Sequence, residues 1–197
     1  VCGVKCAEID IQEANMYAWH STLHTAEDRN GLGAGIGGGG AGWNGPRTWD
    51  ESEYGPEGRC IDTSKPVDVA VSFPMDSEGV LRAMVVKLSQ KGSPCPLELN
   101  LGGYKGMKDV SEALEAGMTP IVSYWNSGNM MWLDGEGMDH HGPCHKDRPN
   151  QCADELHFSN FAVEDYEPPQ EEVVTDVEEP GPAFDGASVW QGPAAAS

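Results

Sequence analysis

Three carboxylates fall within six residues in the stretch Glu8-Ile9-Asp10-Ile11-Gln12-Glu13-Ala14-Asn15, set between apolar β-formers. Ionised carboxylates held this close raise one another's proton affinity, so their gathering on one strand points to chemistry. The chemistry that needs a carboxyl pair is hydrolysis of a glycosidic bond: one group protonates the leaving oxygen, the other attacks or activates water. In a regular strand Glu8, Asp10 and Gln12 share one face and Glu13 points to the other. A site shared by Glu8 and Glu13 therefore predicts a β-bulge near Ile11-Gln12, a feature common beside active sites. Without a bulge the same residues make a solvated edge strand of alternating charge.

Other chemistry-bearing residues give weaker patterns. His140-His141 invites a metal reading, but no third ligand accompanies the pair, and six dispersed cysteines (Cys2, Cys6, Cys60, Cys95, Cys144, Cys152) contain no C-x-x-C unit. No metal and no cofactor are expected. The run Gly31-Leu32-Gly33-Ala34-Gly35-Ile36-Gly37-Gly38-Gly39-Gly40 lacks the Lys-Ser/Thr of a phosphate cradle, and residues 26–46 read as a surface loop.

The elements that must position the carboxylates read as mostly β. Residues 4–13 form the strand of the motif. Val67, Val69, Val71 and Phe73 alternate with polar residues, and Asp76-Ser77-Glu78-Gly79 turns into an antiparallel partner over Val80 to Leu88. Asp109 with Glu112, then Gly117, brackets one short helix. Thr119 to Trp125 and Met130 to Leu133 read as strands about a turn at Asn126-Ser127-Gly128-Asn129, and Leu156 to Val163 as a last strand. The simplest assembly is an antiparallel β-sandwich.

The chain has 197 residues, enough for one core. A formal charge of −20 excludes nucleic acid and anionic membrane surfaces as partners and fits a neutral substrate. No apolar run approaches a membrane span. The even cysteine count fits disulfides in a secreted protein. Between Glu164 and Asp185 nine acidic residues and no basic one are interleaved with proline, so residues 167–197 are expected to form a disordered tail or linker after a catalytic module over 1–166. The chain opens at Val1 with no leader and with the motif almost at its start, which is expected of a chain that begins partway through a longer protein.

The motif E-x-D-x-x-E followed by Ala14-Asn15 resembles the active-site strand of family 7 glycoside hydrolases, the retaining cellulases. The similarity continues in order. His24 stands eleven residues after Glu13, Trp43-Asn44-Gly45-Pro46-Arg47 resembles the family's W-N-x-x-R segment, and Tyr54-Gly55-Pro56 with Ile61-Asp62-Thr63-Ser64-Lys65-Pro66 resembles its Y-G-P and D-T-[ST]-K block. Val122-Ser123-Tyr124-Trp125-Asn126, Met131-Trp132-Leu133-Asp134, Gly142-Pro143-Cys144 and Phe158-Ser159-Asn160 complete the series, from about Cys6 to Asp165.

The resemblance implies a concanavalin A-like jelly-roll sandwich, incomplete in this chain. It implies Glu8 as nucleophile, Glu13 as general acid/base, Asp10 as the group that holds Glu8, and His24 as an active-site histidine. The retaining mechanism asks for carboxyl groups ~5–5.5 Å apart, with Glu13 the more basic because of the two neighbouring charges. Trp125 and Trp132 are the expected platforms for glucose rings and Arg47 a donor to sugar hydroxyls. The implied partner is β-glucan, cleaved by a secreted monomer, and the short joint between Trp132 and Cys144 resembles the endo-acting branch. Gln12 departs from the family's usual Trp, and Cys6 matches a cysteine whose partner lies upstream of residue 1. Two alternatives stay open: a family 16-type β-1,3(4)-glucanase, which shares the first motif, and a non-catalytic carbohydrate-binding sandwich.

Overall fold

The alternation of apolar and polar residues builds two three-stranded antiparallel sheets. A computed structural model describes residues 5–37, 48–124, 127–135, 146 and 156–165. The first sheet runs in the order β1 (Glu8–Ala14), β2 (Trp19–Thr25), β3 (Asp28–Ile36). A parallel bridge joins β4 (Tyr54–Gly55) to β5 (Ile61–Asp62). The last sheet orders β6 (Asp68–Ser72), β7 (Ala83–Ser89), β8 (Leu97–Gly102). Helix α1 (Met107–Ala116) and the single turn α2 (Met131–Asp134) follow. The chain divides into two units, Val1–Leu156 and His157–Ser197, and all these elements lie in the first.

Strand periodicity decides which residues make the core. In the last sheet Met84, Val86 and Leu88 lie opposite Leu101, Leu99 and Leu97, so all six share one face, and all six are buried. In the first sheet Trp19 and Leu23 lie opposite Ile36 and Leu32. These two apolar faces belong to one core with Leu81, Met107 and Val110, giving an all-β, sandwich-like fold. Trp19, Trp49 and Tyr54 pack their rings 6.0 to 6.4 Å apart at one end of that core. The disulfide Cys60–Cys95 ties the β5 segment to the approach to β8.

Several expectations need correction. Residues 28–36, read as loop, are a strand. Glycine weakens β propensity, but Leu32, Ala34 and Ile36 keep the period of two, and pairing along β2 overrides the local preference. Residues 15–25 gave no expected element, yet β2 is the central strand of its sheet. Thr119 to Tyr124 is not strand: Ile121 is 83% exposed, and β-formers without a partner strand do not hold that form. Met131–Asp134 is helical rather than extended, with Leu133 buried. Described residues 156–165 contain no strand, and Phe158, Phe161 and Val163 are exposed. Helix α1 starts two residues before the expected Asp109, which lies in its first turn, where a carboxylate complements the helix dipole.

Candidate active site

The expected bulge is present. The β1–β2 register shifts between Asp10 and Glu13, so Ile11 and Gln12 of β1 stand opposite the single Ser21 of β2. Glu8 lies opposite His24, Asp10 opposite Thr22 and Glu13 opposite His20. His20, Thr22 and His24 alternate along β2 and share a face, so the three carboxylates share it too. That face is opposite the one carrying Trp19 and Leu23 into the core.

The third strand adds no bulk to this face, which is exposed at Gly33 and buried at His20, Gly35 and Gly37. Gly35 and Gly33 of β3 lie opposite His20 and Thr22 and add no side chains to it. Just after β3, a side chain at Gly37 would run into the His20 ring and stand 2.7 Å from the Leu133 carbonyl oxygen. The glycine run is therefore one bare row of a pleated strand whose other row, Leu32, Ala34 and Ile36, faces the core.

Burial and charge set the proton affinities. Glu13 is pushed up to about 7, first by burial, then by the charges of Asp10 and Glu8, with His24 opposing. Burial thus ranks above the neighbouring charges on which the sequence argument rested. Asp10 is also raised, by burial and by Glu8. His24 opposes that rise, its Nε2 lying 3.1 Å from Asp10 Oδ2. The structure thus pairs Asp10 with His24. A carboxyl that keeps its proton near neutrality, beside carboxylates on the same face, is equipped to protonate a leaving group while a neighbour acts as nucleophile.

One end of the site is fixed by Asn15, immediately after β1. Its Nδ2 donates to Asp134 Oδ2 at 2.6 Å, its Oδ1 accepts from the Tyr17 and Ala18 amides, and its carbonyl accepts from the Tyr54 hydroxyl. Asp134 ends α2, whose Trp132 packs edge-on against His20 with ring centroids 5.7 Å apart. Trp132 is therefore held beside His20, the residue opposite Glu13. Arg47 and Trp125 lie outside the described residues, as do His140, His141, Cys2, Cys144 and Cys152. Among the described residues no group of three metal-ligating side chains occurs. Sequence reasoning missed His20 and Asn15. The available signal for His20 was its even spacing with Thr22 and His24.

This carboxylate-bearing face of an antiparallel sheet is the architecture against which the chain's relatives can be set. The chain is similar to Endoglucanase 1 of Pyricularia oryzae, 30% identical over 72% of this chain and 42% of that protein. It is also similar to proteins named "Probable endo-beta-1,4-glucanase celB" of Aspergillus fumigatus, 26% identical over 82% of this chain and 44% of the relative, and of Neosartorya fischeri, with the same identity and shares. The chain spans less than half the length of these curated relatives. No family model matches the chain, and no solved structure matches it.

Proposed function

We propose that this chain carries the catalytic strand of a retaining β-1,4-glucan hydrolase of the family 7 type, built on a jelly-roll sandwich and acting inside the polymer. The observation that carries the reading is Glu13, half-buried on the same face as Glu8 and Asp10, with its carboxyl pushed up to about 7. The names of the Aspergillus fumigatus and Neosartorya fischeri relatives favour the β-1,4 linkage.

In the first step the Glu13 carboxyl gives its proton to the glycosidic oxygen while the Glu8 carboxylate attacks the anomeric carbon. The bond to the leaving sugar breaks and a glycosyl ester forms on Glu8. In the second step the Glu13 carboxylate takes a proton from water, the oxygen attacks the same carbon, and Glu8 is released. The double inversion retains the anomeric configuration. Asp10, with its raised proton affinity, steadies the charge on Glu8, and His24 orients Asp10. Trp132, Trp125 and Arg47 are assigned to sugar contacts, with the catalytic module over 1–166, the tail over 167–197, and the protein a secreted monomer.

The test is trapping with a 2-deoxy-2-fluoro cellobioside bearing a good leaving group. A stable glycosyl adduct on the peptide containing Glu8, lost in Glu8→Gln, is the expected result. An adduct on another residue, or turnover of laminarin but not of β-1,4-glucan, overturns the assignment.

A further inference from the structure

A bulge frees backbone groups from the ladder, and a freed carbonyl needs a donor. The Ile11 carbonyl, inside the Asp10–Glu13 shift, accepts a 2.7 Å hydrogen bond from the Ser21 hydroxyl. The Ser21 oxygen in turn accepts a 2.8 Å bond from the indole Nε1–H of Trp19. Ser21 is fully buried and Trp19 nearly so, so water offers neither group a substitute. Ser21 sits on the core face of β2 between His20 and Thr22, the residues opposite Glu13 and Asp10. A donor at this point ties the irregular backbone of β1 at the step between the two carboxylates.

We propose that Ser21 is a positioning residue, whose hydroxyl pins the β1 bulge through the Ile11 carbonyl and so sets the aim of Glu13 relative to Glu8 and Asp10. Trp19 supplies the second bond of the relay and fixes the hydroxyl rotor, so that its one proton is committed to Ile11. The proposal rests on the hydrolase reading for its consequence in catalysis, but not for its geometry. A core-filling role for Ser21 predicts that size alone matters; the pin predicts that the hydroxyl matters.

The test compares Ser21→Ala, Ser21→Cys and Ser21→Thr in the full chain, with the Glu13 carboxyl titrated by carbon NMR. Ser21→Ala is expected to move the Glu13 midpoint from about 7 down toward the ordinary 4.5, as a loosened bulge lets the carboxyl reach water. Ser21→Cys keeps size but donates weakly and is expected to shift it in the same direction, so the test survives if the alanine variant fails to fold. Ser21→Thr keeps the hydroxyl and is expected to restore the midpoint. Where the protein turns over an aryl cellobioside, kcat in Ser21→Ala should fall by roughly 10–100-fold with little change in KM, the scale of a misaimed catalytic group. An unchanged Glu13 titration in both Ser21→Ala and Ser21→Cys overturns the proposal. So does a threonine variant that behaves like alanine. A shifted titration leaves the pin standing whether or not the protein hydrolyses β-glucan, because the hydrolase reading is decided separately by which residue carries the glycosyl adduct.

Discussion

Glu13 holds its proton in the folded protein to about pH 7, and in an unfolded chain only to about 4.5. Between these values the folded state binds more protons, so this group's stabilising contribution is full below 4.5 and is lost as pH rises through 7. Two outcomes are expected. Hydrolysis should decline above about pH 7 as the acid is lost, and Glu13→Gln should flatten the fall in melting temperature across that window. The variants should also differ by substrate. Glu8→Gln should abolish turnover while leaving cello-oligosaccharide binding intact in calorimetry. Glu13→Gln should slow natural glucan by roughly 100-fold or more and an activated aryl glycoside far less, because a good leaving group needs little protonation. Equal losses on both substrates would count against Glu13 as the acid. The carboxylate pattern and its need for a bulge were legible from sequence because strand parity is strict. The order of causes at Glu13 was not, since burial depends on β2 and on what packs around it.

At the scale of the element, β3 carries a core row and a bare row. Gly37→Ala should collide with the His20 ring and the Leu133 carbonyl, costing about 1–3 kcal/mol as an overpacked site, read as a lowered denaturation midpoint. Gly33→Val should behave differently. Its added carbon meets the Thr22 hydroxyl at 3.1 Å on an open face, so we expect weakened oligosaccharide binding with a smaller loss of stability. Equal destabilisation by both changes would contradict an open face at Gly33. The Asn15–Asp134 bond gives a further check. Asn15→Asp sets two carboxylates against each other and should alter Trp132 fluorescence, and the paired change Asn15→Asp with Asp134→Asn should reverse much of that. Helix α1 was legible from the Asp109, Glu112 and Gly117 that bracket it, and the β6–β7 hairpin from its uninterrupted alternation. Strand β3 was misread because glycine count outweighed the alternation of Leu32, Ala34 and Ile36.

For the molecule as a whole, two features set solution behaviour. The Cys60–Cys95 disulfide closes a loop with a sequence separation of 35, and its loss should cost about 4 kcal/mol by loop-closure entropy. Reduction should therefore lower the melting temperature, most visibly in the last sheet. Ile121 and Val122, adjacent in sequence, are both exposed (83% and 65%) and put apolar side chains in water. We expect the chain to bind a hydrophobic dye in its folded state and Ile121→Ser to reduce that signal; dye binding only on unfolding would contradict the exposure.

What the sequence by itself determined is whatever depends on local period and chemical type: the carboxylate trio, the requirement for an irregularity before Glu13, the paired strands expected over 67–73 and 80–88 and found at Asp68–Ser72 and Ala83–Ser89, and a mostly β composition. Only the tertiary structure decided which half-readable segments became strands. Residues 28–36 gained a neighbour in β2 and formed one, whereas 119–124 formed none despite better β-formers. Backbone hydrogen bonds in a sheet are made between strands, so a segment's own residues cannot settle whether they form. The same holds for the site. Ser21 beneath the bulge, His20 opposite Glu13 and the Asn15–Asp134 bond, which spans 119 residues of sequence, exist only because the fold brings distant groups together.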